Sequence, residues 1–197
     1  MVGNQMNPFL IFVSACLINN IVLIRFIGLC PFFGLSTSIK NSFGMSIAVA
    51  FVVTIASVVS WLVYNLALEP LNIEFLRTAA FILTIASLVQ LVEMFMKKYM
   101  PPLYRSMGIY LPLITTNCAI LATTFLNIDY KLSLGNSVVH GLGIAAGFMT
   151  AIILFASLRE RLCAAPVPKA LRGYPVSFFL ASLMSLAFLG FKGLFGL

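Results

Sequence analysis

Cys30 and Cys118 are the side chains in this sequence best suited to chemistry. Each lies in an apolar, helix-length run with a helix-breaking proline close by. The runs read Gly28-Leu29-Cys30-Pro31-Phe32 and Leu111-Pro112-Leu113-Ile114-Thr115-Thr116-Asn117-Cys118. A bilayer core is a costly place for broken backbone and for polar or ionisable groups, so such spots are usually functional. A thiolate in hydrocarbon needs a metal to neutralise it, and thiolates suit iron–sulfur clusters, zinc or Cu(I). An iron–sulfur cluster normally takes four cysteines. The remaining two here are Cys16 and Cys163. If the chain between Cys16 and Cys30 is helical, those two lie roughly 20 Å apart. Cys163 falls in a basic stretch beside Arg159 and Arg161. Convergence of all four is not expected, so a second subunit should supply two ligands. The competing reading is packing, because buried cysteines commonly act as small hydrophobes. Cys16 and Cys163 are left to that reading.

Polar residues near these runs have two readings each. Asn19, Asn20 and Asn117 either fix broken-helix backbone and line an ion path, or make ordinary interhelical hydrogen bonds. Arg25 could offset the charge of a reduced cluster, but snorkelling to the cytoplasmic interface is the simpler role. Glu93, four residues before Lys97, reads as an i,i+4 ion pair rather than an ion ligand. The stretch Gly141-Leu142-Gly143-Ile144-Ala145-Ala146-Gly147 lacks the spacing and the strand of a dinucleotide fingerprint. Its small residues instead suit close helix packing. His140 reads as a satisfied interfacial residue. No Ser-His-Asp set, phosphate loop or carboxylate dyad is visible.

The elements that must position these residues are membrane helices. Of 197 residues, 61% are hydrophobic and 9% charged, with mean hydropathy +1.09. The net charge of +7 does not indicate nucleic-acid binding, because the basic residues lie between apolar runs. Met1–Asn7 has no basic residue and makes a poor secretory signal, and Val13-Ser14-Ala15-Cys16 is only a loose lipoprotein box. The four cysteines are too dispersed for a secreted disulfide framework. A span needs about 20 mostly apolar residues. Six candidates occur, at 8–35, 43–67, 77–97, 107–127, 137–158 and 175–196. The first would reach on the order of 40 Å as one helix. Gly28 and Pro31 offer a place to break it, and Pro112 does the same in the fourth. The odd-numbered loops and their flanks hold eight basic residues against three on the other side. The positive-inside rule then puts both termini outside.

The expected fold is all-α, a single transmembrane domain over 1–197 made of two three-helix repeats, 8–97 and 107–196. Six residues of 44–60 recur at an offset of 97, among them Gly44, Phe51 and Ser60 against Gly141, Phe148 and Ser157. At an offset of 98, Asn19 matches Asn117. An odd number of spans per repeat forces the second copy to lie inverted. Inverted repeats place their site near the midplane at discontinuous helices, here the first and fourth.

The strings around Cys30 and Cys118, with Asn19-Asn20, Leu158-Arg159-Glu160-Arg161-Leu162, Leu171-Arg172-Gly173 and Leu183-Met184-Ser185-Leu186-Ala187-Phe188, resemble the small Rnf and Na⁺-NQR membrane subunits. The likeness covers essentially the whole chain. Cys30-Pro31 and Thr115-Thr116 resemble the A-type branch of Rnf more than the E-type branch of NQR. The resemblance implies a six-helix inverted repeat in the bacterial inner membrane, paired with a homologous E-like subunit of opposite topology and with the other Rnf subunits. Each of the pair would give two cysteines, here Cys30 and Cys118, to one intramembrane [2Fe–2S] cluster. The complex would pass electrons between ferredoxin and NAD⁺ and move Na⁺ or H⁺. This chain would be no enzyme alone. It lacks a nicotinamide fold and the motif where sister subunits attach flavin. Apart from the resemblance, a secondary transporter with incidental cysteines and a structural anchor for redox partners remain alternatives.

Overall fold

A computed structural model describes residues 7–36, 38–68, 74–99, 117–163, 168 and 173–191. Among these, every regular element is helical. In chain order they are α1 (Pro8–Val13), α2 (Leu29–Leu35), α3 (Ile39–Val63), α4 (Arg77–Tyr99), α5 (Cys118–Asp129), α6 (Leu134–Cys163) and α7 (Tyr174–Leu189). A π-helical turn, Ser14–Ile18, extends α1, and another, Tyr64–Leu68, extends α3. The spans read at 43–67, 77–97 and 137–158 correspond to α3, α4 and α6, and the run at 8–35 is broken as its length requires. Among the described residues, two helical stretches are long and apolar enough to cross a bilayer, Ser42–Leu66 and Leu134–Leu162. The first run is split, with α1 and α2 on either side of the break.

α3 and α6 pack along each other and form the centre, with α1 laid on α6 and α5 on α3. Their seam is made by Met45, Val49, Val53 and Ala56 against Ile144, Phe148, Ile152 and Phe155, all buried. In lipid the driving force for such packing is van der Waals fit, which small residues permit by letting backbones approach. A Cβ at Gly143 would sit 2.9 Å from the Phe12 carbonyl oxygen, and one at Gly147 would sit 2.7 Å from that of Cys16. The glycine stretch of 141–147 is therefore a packing surface for α1. Outward faces are apolar as well: Ile47, Phe51, Leu83 and Leu186 are all more than half exposed. Such a surface suits lipid or a partner rather than water.

The two ends of the bundle differ. At one, Arg77 pairs with Asp129 at 3.0 Å and lies over the Phe125 ring, joining α4 to α5. At the other, the Arg159 guanidinium donates to the Phe33 carbonyl at 3.1 Å and to Ser36 Oγ at 2.9 Å. Arg159 on α6 thus satisfies the open carbonyl end of α2.

Candidate functional site

The break in the first span runs over residues 19–28. The π turn widens the end of α1, and the Asn19 N–H donates to the Ser14 carbonyl at 2.7 Å. Asn20 then holds the turn that follows. It is fully buried, its Oδ1 accepts from the N–H groups of Val22 and Leu23, and its Nδ2 donates to the carbonyls of Cys16 and Gly147. Ile21, Val22 and Leu23 are buried too, so this non-helical backbone is packed inside protein, where a membrane protein can tolerate it. Ser185 of α7 donates to the Leu23 carbonyl at 2.6 Å. Arg25 donates to the Tyr130 hydroxyl at 3.0 Å. With all four of its bonds going to main-chain groups, Asn20 fixes the backbone of the break.

The two cysteines stand in matching places. Gly28 caps α2 with φ +88°, a left-handed conformation that favours glycine. Cys30 follows in the first turn of α2, and Pro31 sits in that same turn, where the missing N–H has no helical partner to lose. Asn117 caps α5, its Oδ1 accepting from the Ala119 N–H at 3.0 Å, and Cys118 is the first helical residue. The starts of α2 and α5 meet. The Gly28 N–H donates to Cys118 Sγ at 3.0 Å, and a Cβ on Gly28 would come within 3.0 Å of the Ala119 Cβ. Both thiols are exposed on the surface of the isolated chain, whereas Cys16 is half-buried. Among the described residues no third cysteine, histidine or carboxylate joins them. Asn117 is buried beside them, and its Nδ2 has no acceptor among the described residues.

Several expectations need correction. Asn19 and Asn117 are held differently: Asn19 ends the π-helical turn after α1, whereas Asn117 caps the start of α5. The position matching Asn117 is Gly28. The Arg25 guanidinium goes to Tyr130, at the end of the bundle opposite Arg159. The 20 Å estimate for Cys16 and Cys30 presumed a helix, and residues 19–28 are not one. His140 is satisfied, as the sequence reading has it: its Nδ1 donates to Asn127 Oδ1 at 2.6 Å, and its ring meets Tyr130 edge-on. Asn19 is exposed, at 3.5 Å from Ser14 Oγ. Pro112, Thr115 and Thr116 lie outside the described residues. Gly28, Tyr130 and Ser185 were missed as parts of the site. Gly28 carried the one usable signal, a glycine just before a Cys-Pro pair.

A family model described as "Rnf-Nqr subunit, membrane protein" matches residues 8–195. The chain belongs to this family. Its relatives include the A-type component of the Na⁺-translocating ferredoxin:NAD⁺ oxidoreductase complex of Acetobacterium woodii, 49% identical over 96% of this chain and 98% of the relative. The A-type component of the ion-translocating oxidoreductase complex of Syntrophotalea carbinolica is 51% identical over 95% of this chain and 97% of its own length. The Vibrio vulnificus protein of the same name is 51% identical over 94% and 96%. The chain is thus an Rnf-Nqr membrane protein, similar over nearly its full length to A-type components.

Proposed function

We propose that this chain is an A-type membrane subunit of an ion-translocating ferredoxin:NAD⁺ oxidoreductase and holds half of a [2Fe–2S] cluster through Cys30 and Cys118. The observation that carries this reading is the meeting of two helix starts with both thiols exposed on the surface of the isolated chain. A free thiol pair facing lipid gains nothing there. A pair facing a second subunit makes half of a four-thiolate site. The donor set fits the group in other respects. The start of α5 offers partial positive charge to Cys118, the Gly28 N–H already donates to its sulfur, and the buried Asn117 Nδ2 supplies another donor nearby. Hydrogen bonds to ligand sulfur are one of the levers that set a cluster's potential.

When bound, the cluster supplies one-electron transfer. What the chain supplies is position. Asn20 and Ser185 fix the irregular segment, Gly28 brings it against α5, and Asn117 sets the first turn that carries Cys118. The apolar packing of Phe148 and Ala119 behind Gly28 keeps water from the inner side. We place the chain in the bacterial inner membrane as six spans in two inverted repeats, with both termini outside. Its partner at the thiols is a homologous E-like subunit of opposite topology, and the transported ion is Na⁺ or H⁺. The half-helix starts of α2 and α5, brought face to face, support the repeat. The names of the relatives support the complex.

The test is chemical analysis of the complex purified with its membrane partners. Cys30→Ala and Cys118→Ala should each remove two irons and two acid-labile sulfides per complex, as expected for one [2Fe–2S] cluster, and stop electron flow. Full iron content and turnover in both variants would return the cysteines to packing.

A further inference from the structure

Buried hydroxyls in this bundle follow a habit. Ser42, Ser46, Thr123 and Ser177 each donate to the carbonyl one turn back. Ser57 and Ser60 of α3 and Ser137 of α6 do not. Each is at most 2% exposed, and none of their hydroxyls has a partner among the described residues. Such groups are costly in a dry interior. They also fall together. Ser57 faces Gly141, where a Cβ would lie 2.8 Å from its Oγ. Ser60 is one turn further along α3, and Ser137 is one turn before Gly141 on α6, which runs the opposite way. All three therefore sit on one stretch of the α3–α6 seam, beside the close approach of Ser57 to Gly141.

This stretch adjoins a polar chain that leads to the bundle end. The Asn127 Nδ2 donates to the Ser137 carbonyl at 3.4 Å, Asn127 Oδ1 accepts from His140, and His140 meets Tyr130, which is exposed and bonded to Arg25. We propose that the seam holds a small buried hydration site, lined by Ser57, Ser60 and Ser137, which exchanges water with the Asp129 end of the bundle past Asn127, His140 and Tyr130. Ordered water supplies two to four hydrogen bonds to buried polar groups of this kind. A bare cation fits less well, because α3 and the part of α6 before Glu160 carry no carboxylate and a charge at that depth is costly. The inner side is closed. Val49, Val53, Ile144 and Ala145 are buried, and Gly147, where the break of the first span touches α6, lies about 9 Å further along the axis. The site is a dead-ended vestibule. Its use by a coupling ion rests on the proposed function, and the hydration does not.

The experiment uses the intact complex in membranes. Ser57→Cys, Ser60→Cys and Ser137→Cys are compared with Val53→Cys during exposure to a small cationic methanethiosulfonate, with labelling read at each site by mass spectrometry. The thiolate that reacts forms only in water, so the serine sites should label about tenfold faster or more than position 53. Equal background labelling at all four overturns the proposal. A second readout guards against misfolded variants. Ser57→Ala with Ser137→Ala should lower the unfolding temperature if the hydroxyls hold water. A rise would mean that unpaired hydroxyls had been removed from a dry seam, which also overturns it. Repeating the labelling with Na⁺ in place of choline separates the two claims. Slowing by Na⁺ supports the ion's use of the vestibule, and unchanged rates remove that use while the hydration stands.

Discussion

The starts of α2 and α5 present the same thing, an exposed cysteine in a first helical turn, but they are held in different ways. Cys118 is set locally: Asn117 caps the helix with its own side chain, one residue away. Cys30 is set from a distance. Gly28 offers no side-chain cap, and the segment before it is fixed by α6 through Asn20, by α7 through Ser185 and by α5 through Tyr130. One half of the thiol pair is thus ordered by local sequence and the other by the assembled bundle. Loosening the bundle should therefore disturb Cys30 before Cys118.

Asn20→Leu should strike hardest at the distant side of this contrast. It strands two buried N–H groups and removes the amide donor to two carbonyls, so a loss of about 3 kcal/mol or more is expected. Thermal unfolding of the purified complex measures it, and Asn20→Asp should not restore it, because a carboxylate has no N–H for those carbonyls and buries a charge. Next is Gly28→Val. The left-handed backbone and the nearby Ala119 Cβ should cost about 2 kcal/mol and reduce iron content, even though Cys30 itself is retained. Asn117→Ala probes the local side. Loss of the cap should cost about 1 kcal/mol, and Asn117→Ser should restore most of it. Smallest is Tyr130→Phe, whose exposed bond to Arg25 should change stability by less than about 0.5 kcal/mol. A large effect there would show that the Tyr130 anchor matters as much as Asn20.

Much of this arrangement was legible in the sequence. An apolar run of 28 residues with Gly28 and Pro31 inside it had to break, and it does. The small residues of 141–147 had to bring backbones together, and Gly143 and Gly147 do so against α1. What could not be read was where long polar side chains go. Arg25 lies between two interfaces, and only the turn of the broken segment sends it to Tyr130. The match of Asn19 with Asn117 misled because Asn19 ends one helical stretch and Asn117 begins another, and α2 has seven residues against twelve in α5. The meeting of Gly28 with Cys118 joins residues ninety apart and leaves no local pattern.

Everything proposed for the thiol pair depends on Cys30 and Cys118 holding one intramembrane cluster with a partner protein. Low-temperature EPR of the reduced complex, wild type against Cys30→Ser and Cys118→Ser, puts this to the proof. One and the same [2Fe–2S] signal should be lost or altered in both variants, with flavin and other iron signals intact. An unchanged spectrum in both would contradict the shared cluster and leave this chain as a scaffold.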